Sequence, residues 1–508
     1  MKREAFLQRI LERPDPWDIA VIGGGATGAG IALDAAARGY TVALFERGDF
    51  GKGTSSRSTK LVHGGVRYLQ QGNIPLVMEA LKERGLLLKN APHLVRDLEF
   101  IVPNYAWWEA PFYGIGLKVY DLLAGRYGFG ASRVLSREQV LERIPTLSRD
   151  GLRGGVMYHD GQFDDTRLLI DLVQSAAEHG ACPLNYARAD GFTKDRHGFI
   201  TGLNFCDEES STHHAIAARC VVNATGPFCD AVRRADEPAV APMIAPSQGV
   251  HLVFDRTFLP GSAAIMVPHT RDGRVMFAIP WHGHTLVGTT DTPIAESTAE
   301  PTAREEEVDF LLATAGEYLA KRPERADILS LFTGIRPLVN ADGGAHTAAL
   351  SRDHTIEISP SGLLTIAGGK WTTYRKMAED AVDHAAVLAH LDERPCVTRD
   401  LPIRDYRSTG IDELIRAQPA LAERLHASLP ITAAQVVWAA RHECARTAED
   451  VLARRTRALF LNTAAALAMA PAVARLLARE LGRNESWQQE QLAAFREVAT
   501  HFAVAQPE

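Results

Sequence analysis

The stretch DIAVIGGGATGAGIALDAAARGYTVALFE, residues 18 to 46, decides the fold. Asp18 to Ile22 is a short apolar run of the kind that forms a parallel strand buried on both faces, and Gly23, Gly25 and Gly28 then set G-x-G-x-x-G at a strand-to-helix turn. Gly23 permits the sharp turn, Gly25 lets backbone approach a pyrophosphate, and Gly28 lets the helix lie close to the strand. The helix N-terminus offers free N–H groups to phosphate oxygens. Arg38 and Gly39 end the helix with a cation and a residue that tolerates left-handed geometry. Thr41 to Phe45 is the next strand, and Glu46 at its end is placed to accept hydrogen bonds from ribose hydroxyls. Strand, glycine turn, helix and acid together predict an adenine dinucleotide site, and the acid argues against a 2′-phosphate. A glycine turn serving only tight packing is the plain alternative.

Composition sets the outer bounds. With 508 residues, 46% hydrophobic and 23% charged, the chain has ordinary soluble-globular composition and enough length for two or three cores. A net charge of -7 supplies no global basic field, so nucleic acid is not an expected partner. Cys182, Cys206, Cys220, Cys229, Cys396 and Cys444 form no C-x-x-C, and the start MKREAFLQRI lacks the apolar core of a signal peptide. The expectation is a reducing cytoplasm. His213, His214, His282 and His284 have no partners at ligand spacing, so no metal is expected, and Trp281 to Thr285 reads as a hairpin turn.

Outward from the opening unit, residues 1 to 13 read as a peripheral helical lead-in broken by Pro14 and Pro16. GKGTSSRSTKLVHGGVRYLQ (51 to 70) is dense in hydroxyls; those of Thr54, Ser55 and Ser58, with the loop N–H groups, suit diphosphate and ribityl oxygens, and Lys60 and His63 are counted with them as cofactor-binding, although a solvated loop has the same composition. NATGPF (223 to 228) repeats the small-residue turn after a buried strand and places Gly226 near the dinucleotide. GVHLVF, AIMVP, RVMFAIPW and HTLVGTTD, within 249 to 293, read as an inserted antiparallel sheet. LFTGIRPLV (331 to 339), ALSRDHTIEI (349 to 358) and LLTIAGGKWTTYRKMAEDAV (363 to 382) are expected to return to the parallel core. There Gly368 and Gly369, with Thr372, open a helix toward the far end of the cofactor. From Pro395 on the pattern is helical.

These pieces, VIGGGATGAGIALDAAARG, TSSRSTKLVHGGVRYL, VNATGPF, GTTD, TGIRPL, SRDHTIEI and GGKWTTYRK, resemble the FAD-dependent glycerol-3-phosphate dehydrogenase and oxidase family, in family order across residues 18 to 382. ARTAEDVLARRTRALFL looks like that family's C-terminal helical cap. The resemblance implies an α/β fold with a Rossmann-like FAD domain of glutathione-reductase type, an inserted antiparallel-sheet substrate domain and an all-α C-terminal domain. The expected partition is 14–100, 161–245 and 330–392 for FAD binding, 101–160 and 246–329 for the substrate domain, and 393–508 for the helical domain.

It also implies FAD as cofactor, glycerol 3-phosphate oxidised at C2 to dihydroxyacetone phosphate, and a quinone as electron acceptor. His63 is expected near the isoalloxazine. A phosphate needs cations, and Arg67, Arg352 and Lys370, with the Tyr68 hydroxyl, stand at the matching family positions as its clamp. His251, central in GVHLVF, is the candidate base, because an imidazole suits proton transfer near neutral pH; a half-buried strand histidine bonded to backbone is the alternative. Arg336 is expected to hold the substrate oxygen, and Thr289 and Thr290 bond either substrate hydroxyls or the sheet. An oxidase of glycerol 3-phosphate using oxygen, an amine or amino-acid oxidase of the same architecture, an NAD-dependent dehydrogenase and a flavin scaffold without turnover are the competing readings. A homodimer is left open.

Residues 104 to 130 gather Trp107, Trp108, Phe112, Tyr113, Ile115, Leu117, Val119, Leu122 and Leu123. Glu109, Lys118, Asp121 and Arg126 interrupt the run, so it cannot span a bilayer. Either these aromatics fill a core between domains, or they lie at a membrane surface. The resemblance favours attachment to the cytoplasmic face of the cell membrane without crossing it.

Overall fold

The computed structural model describes residues 1–66, 69, 72–268, 270, 275–340 and 353–504. The strand Trp17–Ile22, buried except at Asp18, pairs in parallel with Val42–Phe45 on one side and Thr212–Asn223 on the other. Leu363–Gly368 and Cys182–Leu184 extend this parallel sheet, and His354–Ile358 runs antiparallel at one edge. Ile19, Val21 and Leu44 are wholly inaccessible, each contributing about 1.5–3 kcal/mol of burial, which is why this unit sits at the centre rather than at an edge. Helices Ala26–Ala37, Asp165–Glu178 and Tyr374–Leu388 cover one face. Helix Arg3–Leu11 and the antiparallel pair Ala187–Lys194 and Ile200–Asp207 cover the other.

The glycine turn is built as its spacing predicts. Gly23 has φ +108°, and a Cβ there would meet the Ala224 carbonyl oxygen at 2.6 Å. A Cβ on Gly28 would stand 1.8 Å from the Gly23 carbonyl oxygen, so no other residue lets the helix lie this close. The helix ends at Arg38, followed by Gly39 with φ +84°.

A second, largely antiparallel sheet carries the site. Ile244–Asp255 pairs antiparallel with His284–Gly288 on one side and with Ile328–Val339 on the other, and Met276–Trp281, Ala264–Val267, Val95–Asn104 and Gly154–Phe163 continue the sheet. The structure corrects several expectations here. Residues 331–339 do not return to the parallel core; they pair along Ile244–Phe254, because an apolar run fixes strand character but not which sheet receives it. The boundaries drawn at 100 and 160 fall inside the continuous strands Val95–Asn104 and Gly154–Phe163. The lead-in is tied down rather than peripheral: Arg3 is buried and donates to the Asn185 and Tyr186 carbonyls beside Asp207.

Helices Arg407–Ala417, Ala433–His442, Thr463–Leu481 and Glu485–Thr500 form the C-terminal part, with a small hairpin of Arg424–His426 and Leu429–Thr432. Its wide helical turn Asp450–Arg455 docks on the first sheet's loops through ion pairs. Arg454 and Arg455 both reach the buried Asp49, and Glu443 pairs with Arg167.

Candidate active site

A cleft of about 750 Å³ opens beside the glycine turn. Of the predicted cofactor residues, Gly23, Gly25, Glu46, Thr54, Ser55, Gly226, Gly368 and Gly369 line it, together with Lys370. The Glu46 carboxylate is fixed at the turn, accepting from the N–H of Gly24 at 2.7 Å and of Gly48 at 2.8 Å. Burial raises its pKa, opposed by those two N–H donors. The Thr54 hydroxyl donates to the Ile335 carbonyl at 2.6 Å, and the Ser55 hydroxyl accepts from the Ala26 N–H at 2.9 Å, so Thr54 ties this loop to the second sheet and Ser55 ties it to the start of the helix Ala26–Ala37. Gly226, with φ +58°, has open space where a Cβ would stand. The size of the cleft and the two turns that line it, the glycine turn and Gly368–Lys370, fit FAD.

The remaining predicted cofactor residues do not line the cleft. Gly28 serves helix packing. Ser58 donates to Asp165 at 2.7 Å. Lys60, read as a cofactor cation, is wholly buried: its ammonium donates to Asp165 Oδ2 at 2.6 Å and to the Ser56 carbonyl at 2.8 Å, above the rings of Trp281, Phe332 and Phe460. Burial pulls its pKa down to about 7 against the opposing pull of Asp165. Thr372 ties its hydroxyl to the His63 backbone, accepting from the N–H at 3.2 Å. For Ser58, Lys60 and Thr372 a protein partner takes the group that composition offered to the cofactor, while of His63 it is the backbone that meets Thr372.

His251 and Arg336 meet on one face of the second sheet. In the antiparallel register His251 stands opposite Phe332, and Ser247 opposite Arg336; positions four apart along a strand share a face. The imidazole stacks on Phe332, centroids 4.7 Å apart at 12°, and its Nε2 lies 2.9 Å from the Thr59 hydroxyl. On its other side is Gly288, where a Cβ would come within 2.3 Å of the ring. His251 is 2% exposed, and burial first, then the charges of Lys60 and Arg336, hold its pKa well below the ordinary imidazole value. Arg336 donates through NH2 to the Thr289 hydroxyl at 3.0 Å and the Thr290 carbonyl at 2.9 Å, and pairs with Asp291 at 3.2 Å. The Thr290 hydroxyl is a structural one: it donates to Glu307 at 2.8 Å and accepts from the Val250 N–H at 3.0 Å, which leaves Thr289 as the threonine beside Arg336. Arg67, Tyr68 and Arg352 lie outside the described residues.

Sequence reasoning missed Thr59, Asp165, Gly288 and Arg457. Arg457, from the C-terminal part, donates to the Ser56 carbonyl at 2.8 Å and stands 3.5 Å from Asp165. A signal existed: Arg454, Arg455 and Arg457 sit among apolar residues in VLARRTRALFL, and cations buried there require acids elsewhere.

The helix Glu109–Ala124 buries Tyr113, Leu117, Tyr120 and Ala124 and turns Phe112, Ile115, Val119 and Leu122 outward beside Trp107 and Trp108. Leu122 is 80% and Trp107 77% exposed, so these side chains do not fill a core between domains. Among the described residues no helix is long and apolar enough to cross a membrane.

A glycine-turn cleft of this build beside a second, largely antiparallel sheet defines the class as an FAD-dependent oxidoreductase, and residues 18–375 match the family described as FAD dependent oxidoreductase. Residues 408–491 match the family described as the C-terminal domain of alpha-glycerophosphate oxidase. The mitochondrial glycerol-3-phosphate dehydrogenase of Mus musculus is 41% identical over 98% of this chain and 75% of its own length, and that of Arabidopsis thaliana 39% identical over 96% and 86%. The solved glycerol-3-phosphate dehydrogenase of Bacillus halodurans, complexed with FAD, superposes with a TM-score of 0.80 at 31% identity over 100% of this chain and 99% of that one. The chain belongs to the FAD-dependent glycerol-3-phosphate dehydrogenase family.

Proposed function

We propose that the chain oxidises glycerol 3-phosphate at C2 to dihydroxyacetone phosphate and delivers the electrons to a quinone at the cytoplasmic face of a membrane. The observation that carries the chemistry is the pairing of a histidine kept neutral at physiological pH with a charged arginine on one sheet face. FAD, when bound, supplies the two-electron acceptor. His251 accepts the C2 hydroxyl proton, and Arg336, held by Thr289 and Asp291, stabilises the charge that develops on that oxygen. Lys370, in the lining of the cleft, joins Arg67, Tyr68 and Arg352 as the phosphate clamp.

The exposed apolar face of Glu109–Ala124 supports the second half of the reading. Trp107 and Trp108 stand at its start, where tryptophan suits a headgroup boundary, and a lipid-borne acceptor requires the bilayer within reach. Oxygen as acceptor is the alternative. The test is reoxidation of the substrate-reduced, vesicle-bound protein. A short-chain quinone restores the flavin absorbance faster than air-saturated buffer if the reading is right, and the reverse order would make the protein an oxidase.

A further inference from the structure

Composition makes the segment Ser56–Lys60 look like part of a cofactor cradle, but the structure gives most of it another task. The Ser56 carbonyl accepts from Lys60 Nζ at 2.8 Å and from Arg457 at 2.8 Å. Arg57 donates to the Thr333 carbonyl at 3.1 Å and to Glu300 at 2.5 Å. Ser58 is clamped between Asp165 and the Lys60 N–H, at 2.7 and 3.0 Å. Every neighbour of Thr59 in this segment is therefore anchored, and the Thr59 hydroxyl is delivered to His251 Nε2 at 2.9 Å.

The ring it meets has no other freedom. Phe332 stacks on one face of the imidazole, and Gly288 opposite leaves room for nothing larger than hydrogen. Nδ1 is buried and has no hydrogen-bond partner among the described residues. A neutral imidazole carries one proton, on either nitrogen, and the hydrogen bond made by one nitrogen decides the state of the other. Were the Thr59 hydroxyl to donate, the lone pair would be spent on Thr59 and Nδ1 would carry a buried proton with nothing to receive it.

We propose that Thr59 is a positioning residue for His251, its oxygen accepting from Nε2–H and so fixing the tautomer whose Nδ1 takes the substrate proton. The inference rests on the reading of His251 as the base. In that step the substrate O–H bond breaks and its proton bonds to Nδ1. The electron pair left on oxygen closes the carbonyl as the C2 hydrogen departs with its own pair to the family's FAD. Thr59 keeps its acceptor role while the imidazolium exists, which matters because Lys60 and Arg336 both disfavour a second proton on the ring.

The test uses the FAD-loaded protein with Thr59→Val, Thr59→Ser, His251→Asn and the Thr59→Val/His251→Asn double variant, with FAD content and thermal midpoint recorded for each. At saturating glycerol 3-phosphate, Thr59→Val slows anaerobic flavin reduction by about tenfold or more with little change in half-saturation, whereas Thr59→Ser stays within about threefold. In the His251→Asn background Thr59→Val adds no further loss, because a residue acting only through the ring has nothing left to act on. Independently of turnover, imidazole nitrogen NMR of histidine-labelled protein, taken as a difference against His251→Asn, shows Nε2 protonated in the wild type. Wild-type reduction by Thr59→Val, additive losses in the double variant, or a proton on Nδ1 would each overturn the proposal. A wild-type rate for His251→Asn would instead remove the base itself and the inference with it.

Discussion

Gly288 faces His251 across the strand pair because the imidazole occupies the space a side chain would need. Adding one methyl there forces the ring off Phe332 or away from Thr59, and a displacement of that order costs up to about a hundredfold in rate. Gly288→Ala is expected to retain FAD and slow flavin reduction at saturating substrate by about tenfold to a hundredfold, read by anaerobic stopped flow. A wild-type rate would mean the ring's placement does not matter. At this scale the sequence showed residue types but not partners. His251 and Arg336 could be picked out, the first because an imidazole suits proton transfer near neutral pH and the second through the family resemblance, but that they share one face of one sheet is shown only by the register. Lys60, Ser58 and Thr372 could not be separated from true cofactor contacts. Their hydroxyls and ammonium suit a diphosphate equally well, and the groups that claim them, Asp165 and the His63 backbone, are brought near only by the tertiary fold.

Glu109–Ala124 is the element whose surface and core faces disagree most with ordinary soluble behaviour. Its inner face is locked: the Tyr120 hydroxyl accepts from the Gly64 N–H at 2.8 Å and donates to Asp160 at 2.9 Å, with Arg84 on the same carboxylate. Its outer face leaves Phe112, Ile115, Val119 and Leu122 in the open. Each large apolar side chain moved out of water contributes up to about 1.5–3 kcal/mol, so a few of them suffice for reversible attachment. Ile115→Glu/Leu122→Glu is expected to shift the protein from the membrane pellet to the supernatant by about tenfold or more while leaving its rate with a soluble acceptor unchanged. Equal sedimentation of variant and wild type would put the attachment elsewhere or nowhere. The helix was legible as apolar and too interrupted to span, but composition left open whether its aromatics faced solvent or core; a periodicity says that a helix has two faces, not what covers the second one. The strand Ile328–Val339 shows the same limit, since its apolar run fits the parallel core and the antiparallel sheet alike.

At the scale of the molecule, the parallel sheet with its glycine turn, the antiparallel sheet with its histidine, and the helical C-terminal part were legible from motif order, whereas motif order places the strand that carries Arg336 in the wrong sheet. What motif order could not show is how closely the last part supports the first two. Asp49, just past Glu46, is enclosed by Arg454 and Arg455, which hold its carboxyl below the ordinary range although burial pulls it the other way. Arg457 reaches the segment that carries Thr59. Buried charges of this kind are held by mutual pairing, and removing one partner strands the other, so the C-terminal part belongs to the site's scaffold rather than hanging beside it. The central claim is that this scaffold presents a base and an arginine to C2 of a phosphate-anchored alcohol, and anaerobic mixing of the FAD-loaded protein with substrate tests it most directly. Glycerol 3-phosphate is expected to bleach the flavin absorbance, with glycerol far less effective at equal concentration and His251→Asn markedly slower. Bleaching by glycerol as readily as by glycerol 3-phosphate, or none by either, would contradict the account.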